Sequence, residues 1–181
     1  SDVQAASTVL LRWQENFIPD CLEIQNTDSG WNTEMHRKTD WSENRKDDKG
    51  DMSFSGMVKE ELSRQIGLAR HCKMAELAAI LHMCGEFEED KNGICTIRFR
   101  SENYLVARKC FTLMTKTFNI EADIVVRKNM MNGSTSYFMR WTGEELLAVK
   151  NALVQAVCCK RAYIRGAFIA AGSMSDPSKS Y

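Results

Sequence analysis

The sequence predicts an α+β fold, in which an antiparallel four-stranded sheet is covered by helices on one face. Segments with apolar residues every three or four positions alternate with pairs of strand-like segments, in the order α-β-β-α-β-β-α. The turn signals Asp90-Lys91-Asn92-Gly93 and Asn132-Gly133 each separate two strands, which is typical of hairpins. A last helical segment repeats the small-residue pattern of an earlier one, which indicates the start of a second, similar unit.

The composition is that of a globular protein. Apolar residues make up 44% of the chain and charged residues 27%, so a packed core is expected. Only two prolines are present, which excludes collagen-like and proline-rich classes. No apolar run approaches the roughly 18 residues that a membrane-spanning helix needs, so we expect no contact with a membrane.

Seven cysteines are scattered along the chain, and none belongs to a C-x-x-C pair. They are Cys21, Cys72, Cys84, Cys95, Cys110, Cys158 and Cys159. The three histidines, His36, His71 and His82, share no zinc-type spacing with them, so we expect no metal and no cofactor. Thiols at irregular spacing are typical of proteins of the reducing cytoplasm.

The first 51 residues differ in character from the rest of the chain. Residues 1–51 hold 11 acidic and 6 basic side chains, whereas residues 52–181 hold 13 acidic and 18 basic ones. The first segment is polar and has almost no periodicity, so it is predicted to be disordered. Residues 45–51 back-translate to purine-rich codons that resemble a bacterial ribosome-binding site. We therefore expect Met52 to be the native start and residues 1–51 to be upstream read-through, with a genuine disordered tail as the alternative.

Two helical segments open the folded part. Residues 52–71 are predicted to form an N-terminal helix, which Ser55 is placed to cap. Its apolar positions at i, i+4 and i+8 are Val58, Leu62 and Ile66. The first full repeat is predicted over residues 72–157, and it begins with an alanine-rich helix at 72–84 that stops at Gly85.

The first strand pair is predicted at residues 86–89 and 94–100. In its second strand the apolar residues alternate with polar ones, as expected of a strand with one buried face. The apolar set is Cys95, Ile97 and Phe99, and the polar set is Thr96, Arg98 and Arg100. Ser101 is placed to cap a helix that extends to Phe118, with Lys109 off its apolar stripe.

The second strand pair is predicted at residues 120–128 and 135–141. The residues Ala122, Ile124 and Val126 alternate with polar residues and are expected to face the core. Thr142 and Glu145 form a capping-box pattern, which predicts a closing helix that extends to Val157.

Residues 158–181 are predicted to begin a second repeat that the chain does not complete. Residues 77–85 align without a gap on residues 164–172, and both segments are apolar, rich in small residues and ended by glycine. Small residues let helices approach closely, so the two helices are expected to pack together; two unrelated amphipathic helices are the alternative. The candidate packing residues are Ala78, Gly85, Gly166, Ala170 and Gly172.

The helix at 72–85 resembles the motif helix of LAGLIDADG homing endonucleases. Three stretches are also similar to the WhiA family of bacterial sporulation and cell-division regulators. They are MSFS at 52–55 with VKEEL at 58–62, CKMAELAAILHMCG at 72–85, and CKRAYIRGAFIAAGSMSDP at 159–177. The third stretch is the most specific, and the similarity extends from Met52 to Tyr181.

The resemblance implies a cytoplasmic, nucleoid-associated transcription regulator whose partner is double-stranded DNA at promoters. Members of the family carry two LAGLIDADG-like repeats followed by a C-terminal helix-turn-helix. By this resemblance the chain is an N-terminal fragment that ends at the entry to the second repeat. An active endonuclease and a scaffold that binds a protein or a small ligand are the alternative functions.

The acidic positions of the motif argue against an enzyme. In LAGLIDADG nucleases the last acidic residue before each motif glycine holds a divalent metal at the scissile phosphates, which requires carboxylate oxygens. The equivalent positions here are Cys84 and Ala171, and the earlier acidic position holds His82 in the first motif. A metal pair of His82 and Cys84 is disfavoured, because i and i+2 positions of a helix do not face each other. We therefore expect no catalytic residues.

The candidate DNA contacts follow from the alternation of the strands and from the resemblance. Helices that cover the apolar face leave the opposite face of the sheet open, and in LAGLIDADG proteins that face is the DNA saddle. The basic residues expected on it are Arg98, Arg100, Arg127 and Arg140. Four arginines on a solvated sheet without a ligand are the alternative interpretation.

Overall fold

The computed structural model describes Trp31–His36 as a strand and residues 53–179 in full. The remaining predictions on residues 1–51 lie outside the described residues. The elements are strand β1 (Trp31–His36), helices α1 (Phe54–Arg64) and α2 (Arg70–Cys84), strands β2 (Gly85–Glu89) and β3 (Cys95–Ser101), helix α3 (Tyr104–Phe118), strands β4 (Asp123–Asn129) and β5 (Thr135–Gly143), a 3-10 turn (Glu144–Leu146), and helices α4 (Leu147–Lys150) and α5 (Val157–Ala171). Within this described part, no helix is both long enough and apolar enough to cross a bilayer.

The predicted α+β fold with an antiparallel sheet is confirmed. The strands lie in the order β1-β4-β5-β3-β2, and every neighbouring pair is antiparallel. The hairpin turns are the predicted ones, and Gly93 (φ 81°) and Gly133 (φ 71°) adopt the left-handed conformation that glycine tolerates best.

Strand β1 departs from the predicted disorder of residues 1–51. It pairs with β4 from Trp31 opposite Asn129 to His36 opposite Ile124, and it adds a fifth strand to the four predicted. Without it β4 would be an edge strand with one row of unpaired main-chain groups. Those groups stabilise a strand whose own side-chain pattern is too weak to predict one.

Two helix caps differ from the predicted ones by two residues. Ser53, rather than Ser55, caps α1 and accepts a hydrogen bond from the N–H of Gly56 at 3.1 Å. Asn103, rather than Ser101, caps α3, and its Oδ1 accepts from the N–H of Leu105 at 2.9 Å. Ser101 instead remains in β3, where the sheet ladder extends further than the sequence pattern indicates.

The closing helix predicted from Thr142 to Val157 is wrong. Thr142 stays in the sheet, where it pairs with Thr96, and strand β5 extends to Gly143. Only a 3-10 turn and the four residues of α4 follow, without a side-chain cap. β-branched Thr142 fits the ladder better than a helix cap, and Leu153, which the predicted helix would bury, is 77% exposed.

The core lies between the helices and one face of the sheet, as predicted. Ile97, Phe99 and Ile124 are buried, and partly buried Val126 packs against them. Helix α2 lies in the middle of the helical layer, and its Ala75–Leu81 stretch is buried throughout. The core also contains Ala107, Cys110, Leu113, Met114, Ala122, Met139, Trp141, Leu146 and Val149.

Lys109 is the clearest difference within the core. It was expected to lie off the apolar stripe of α3, yet its side chain is fully buried. Its Nζ lies 3.0 Å from Oε1 of Glu76, and it also donates to the carbonyl oxygen of Gln65. A buried ammonium is tolerated only when it is paired, and the partner on α2 is invisible to the periodicity of α3.

Helix α5 packs side by side with α2, as the repeated pattern predicts. At their crossing a Cβ on Gly166 would collide with the carbonyl oxygen of Glu76 and lie 3.1 Å from the Cβ of Ala79. The Arg165 guanidinium reaches both carboxylate oxygens of Glu76, at 2.8 and 2.7 Å. The two helices therefore touch through main chain at one point and through a bidentate ion pair beside it.

The other four candidate packing residues lie in the core or at helix ends rather than at the crossing of α2 and α5. Ala78 is fully buried in the core, and Ala170 is partly buried against it. A Cβ on Gly85 would lie 2.8 Å from the carbonyl oxygen of Leu81, and one on Gly172 would lie 2.7 Å from that of Phe168. These two glycines thus allow the tight ends of α2 and α5 rather than contact between the helices.

Candidate nucleic-acid interface

The four candidate arginines lie on one face of the sheet, opposite the helices. Arg98 of β3 is the direct neighbour of Arg140 on β5, and Arg100 is the neighbour of Phe138. Arg127 of β4 lies beside Ser136 of β5 in the same alternation. Directly opposed residues of antiparallel strands share a face, so the register places all four on the surface that the helices leave open.

Carboxylates accompany three of these arginines. Arg98 forms an ion pair with Glu88 of β2, and Nη2 of Arg140 lies 2.9 Å from Oδ2 of Asp123 on β4. Arg100 lies 4.0 Å from Glu102. The sequence alternation of β4 places Asp123 on the same face as Arg127. It did not identify Glu88 as the partner of Arg98, because that pair depends on the register of β2 and β3. Exposed pairs of this kind are worth about 0–1 kcal/mol, so a phosphate can compete for the arginines.

Phe138 lies at the centre of this face and is a site residue that the sequence pattern did not reveal. The guanidinium carbons of Arg100 and Arg127 lie 5.5 and 5.3 Å from the centroid of its ring. Burial lowers the pKa of Arg127, with the like charge of Arg100 as the second cause. The Nε of Arg127 is buried without a hydrogen-bond partner in the described residues.

These three side chains form the arginine–phenylalanine cluster, Arg100–Phe138–Arg127. Arg100 and Arg127 lie on the strands to either side of Phe138, and their like charges repel each other. A phosphate bound to either guanidinium group would reduce that repulsion and accept charge-assisted hydrogen bonds. The cluster is therefore suited to a phosphate oxygen.

The ends of the two motif helices do not supply metal ligands of the nuclease type. Cys84 is the last residue of α2 and Ala171 the last of α5, and each is followed by its glycine. Burial raises the pKa of the Cys84 thiol, so this side chain is neutral near pH 7. His82 is turned toward α5, with its Nδ1 3.3 Å from the Tyr163 hydroxyl. A thiol and a methyl group cannot replace two carboxylates around a hard divalent cation.

Two family models match the chain in succession. The WhiA N-terminal LAGLIDADG-like domain matches residues 70–154, and the WhiA LAGLIDADG-like domain matches residues 160–181. Residues 155–159 lie between the two matches and include the start of α5 at Val157. The second model therefore starts on the helix that the internal repeat assigns to a second unit.

Curated relatives carry the same family name. The chain is 43% identical over 151 residues to the probable cell division protein WhiA of Lachnoclostridium phytofermentans, covering 72% of this chain and 48% of the relative. It is 35% identical over 149 residues to the corresponding protein of Lachnospira eligens, covering 72% and 47%. The chain thus spans about half the length of the curated relatives it matches.

Two crystal structures share the fold. The N-terminal LAGLIDADG domain of DUF199/WhiA superposes with a TM-score of 0.57 at 23% identity, over 72% of this chain and 64% of that one. Full-length DUF199/WhiA from Thermatoga maritima gives a TM-score of 0.54 at 22% identity, over 69% and 41%. At these identities the comparison shows a common architecture for the helices and the sheet.

Proposed function

The chain belongs to the WhiA family, and on that premise we propose that it is the DNA-binding, non-cleaving LAGLIDADG-type part of a transcription regulator. The processes it would regulate are sporulation and cell division, and its partner would be double-stranded DNA at promoters in the nucleoid. The observation that carries the proposal is the arginine–phenylalanine cluster on the open face of the sheet.

The open face supports backbone contact rather than base reading. Arg98 and Arg140 lie two residues further along β3 and β5 from Arg100 and Phe138. The positive groups therefore form a row that follows these two strands. Phosphate contacts of this kind position a protein on a duplex without selecting sequence. Each ion pair to a carboxylate must open when a phosphate binds, which costs little at an exposed site. We therefore expect salt-sensitive, sequence-independent affinity from this domain.

The proposed lack of cleavage rests on Cys84 and Ala171. Metal-assisted hydrolysis of a phosphodiester requires oxygen ligands that fix the cation beside the scissile phosphate. A plasmid-nicking assay with magnesium should show no cutting by the full-length protein. Introducing Cys84→Asp and Ala171→Asp could create a cation site but should not restore specific cutting, since the remaining active-site groups are not supplied. Magnesium-dependent cutting by the unmodified protein would overturn this part of the proposal.

Duplex binding over a salt series tests the DNA contacts. The Arg98→Ala, Arg100→Ala double variant should lower affinity equally for target and random DNA, and flatten the slope of log K against log salt by roughly one unit per lost contact. Arg127→Gln should act in the same direction, because it removes one side of the cluster.

Arg64→Gln is the matched control for these substitutions. Arg64 is an exposed arginine of α1 that also pairs with a carboxylate, Glu60, but it lies on the helical side. Its replacement should leave the salt slope unchanged. An unchanged slope in the Arg98→Ala, Arg100→Ala variant would instead place DNA recognition outside this domain and leave the domain as a scaffold.

A further inference from the structure

The first turns of α2 and α5 bring three thiols and one imidazole together. The ligand atoms of His71, Cys72, Cys158 and Cys159 all lie within 4.8 Å of one another. Nδ1 of His71 is 3.1 Å from Sγ of Cys159, 3.4 Å from that of Cys72 and 4.0 Å from that of Cys158. The four residues are two adjacent pairs that only the packing of the helices unites.

The spacing matches the size of a tetrahedral zinc centre. With Zn–S bonds of about 2.3 Å and Zn–N bonds of about 2.0–2.1 Å, a sulfur and a nitrogen ligand lie roughly 3.5 Å apart. The three observed distances from His71 Nδ1 bracket that value. Three cysteines and one histidine are also a donor set of structural zinc sites.

Both helices start at the cluster from alanines, Ala69 and Ala156, which offer no side-chain cap, and neither first turn holds an acidic residue. The partial positive charge of helix starts favours anionic ligands nearby. Burial and the neighbouring Cys158 and Cys159 nevertheless raise the pKa of the Cys72 thiol to about 11. The ion itself must therefore drive the release of the thiol protons, as metal binding to cysteine ligands does.

We propose that His71, Cys72, Cys158 and Cys159 bind one Zn²⁺ ion, which staples the start of α5 to the start of α2. On binding, the three thiols release their protons to solvent, and the neutral imidazole donates through Nδ1. Cys159 is buried, whereas His71 and Cys158 are exposed, so the ion can enter from solvent. This proposal departs from the expectation of no metal, because zinc spacing rules consider neighbours in sequence and this site is formed in space.

The ion would act on structure rather than on DNA. The cluster lies at the beginnings of the helices, whereas Gly166 and the Glu76–Arg165 pair hold them together further along. Zinc would add a second fixed point, so the two motif helices could not pivot about the glycine contact. This inference is independent of the proposed function, since it does not involve the open face of the sheet.

Metal titration of the full chain tests the site. The protein is purified under reducing conditions, stripped with a chelator and titrated with Zn²⁺ alone, and in parallel with Co²⁺. We expect one equivalent of Zn²⁺, a thiolate-to-cobalt charge-transfer band, and the strong visible bands of tetrahedral cobalt. A hundredfold excess of Zn²⁺ over its dissociation constant should raise Tm by about 5–10 °C.

Matched variants separate this site from other thiols and imidazoles. Cys158→Ser and His71→Asn replace exposed side chains and should weaken Zn²⁺ binding at least tenfold. Cys84→Ser and His82→Asn, on the same helix α2, should leave binding unchanged. Absence of metal binding, or equal loss in the control variants, would overturn the proposal. A disulfide among Cys72, Cys158 and Cys159 in air, with no Zn²⁺ uptake after reduction, would also overturn it.

Discussion

The two sides of the molecule use charged side chains in opposite ways. On the helical side Glu76, Lys109 and Arg165 form an ion cluster, in which Glu76 and Lys109 are fully buried. On the sheet side the pair of Arg140 and Asp123 has a similar N–O distance, 2.9 Å, but the two side chains are 39% and 59% exposed. The same chemistry is therefore structural where water is absent and exchangeable where water is present.

The buried ion cluster joins three helices. Glu76 lies on α2, Lys109 on α3 and Arg165 on α5, so one carboxylate links all of them. Burial lowers the pKa of Lys109, and the attraction of Glu76 opposes that shift. Removing the anion would leave two cations facing each other inside the helical layer.

Glu76→Gln is expected to have the largest effect on stability. Breaking a buried pair costs about 3–5 kcal/mol, because an uncompensated charge remains inside. Urea unfolding should show this loss as a lower midpoint. Glu88→Gln, which removes the partner of Arg98 on the open face, is the matched control and should change stability by less than about 1 kcal/mol. Equal losses in both variants would contradict the contrast between the two sides.

Gly166→Ala should come next, because it wedges the motif helices apart where their main chains touch. The added methyl group would collide with the carbonyl oxygen of Glu76. We expect a loss of about 1–3 kcal/mol despite the better helix propensity of alanine. Ile164→Ala lies on the exposed side of the same helix and serves as the control. A neutral Gly166→Ala variant in thermal unfolding would show that the helices can separate freely.

Asp123→Asn sharpens the comparison from the sheet side. It should alter stability by less than about 1 kcal/mol, since the pair with Arg140 is exposed. Duplex affinity should rise, and the slope of log K against log salt should steepen by roughly 0.9, because Arg140 loses a carboxylate that competes with a phosphate. Fluorescence anisotropy at several salt concentrations measures both quantities. Weaker binding would mean that Asp123 orients Arg140 for its contact rather than competing with it.

The smallest expected effect is a loss of stability at alkaline pH, which arises from Cys110 in the helical layer. Burial raises the pKa of its thiol well above the ordinary 9.0, and the neighbouring Cys84 adds to the shift. The folded protein therefore keeps this proton where the unfolded chain releases it, so the contribution of Cys110 to the free energy of unfolding is constant below pH 9 and falls as pH rises above it. Denaturant titrations from pH 8 to pH 10 should show a shallower decline for Cys110→Ala than for the wild type. Parallel declines would exclude Cys110 as the cause.

Local sequence patterns were sufficient to predict most elements of the fold. The alternation of Ile97 and Phe99 with polar residues gave the buried face of β3, and Asn132-Gly133 fixed a hairpin by its turn chemistry. The prediction of a helix cap at Thr142 failed because the same residue pattern is compatible with the end of a strand. Pairing with Thr96 of β3 keeps Thr142 in the sheet. Local signals thus fail where a distant strand decides.

The candidate sites also differ in whether a local sequence pattern or the tertiary packing determines them. The shared face of the arginines follows from period-two alternation, so the sequence could place Arg98 and Arg100. The ring of Phe138 between Arg100 and Arg127 depends on the register of three strands, which no local pattern specifies. The thiols of Cys72 and Cys158 meet only because α2 and α5 pack side by side.

Strand β1 has a consequence for handling the protein in solution. The sheet has two outer edges. At the edge formed by β2, the charges of Glu86 and Glu88 disfavour pairing with a strand of another molecule. The other edge is covered by β1, beneath which β4 carries the run Ile124-Val125-Val126. A chain shortened to begin at Met52 would leave the main-chain N–H and C=O groups along that edge of β4 unpaired. Such a truncation should self-associate through β4 at concentrations where the 181-residue chain stays dispersed.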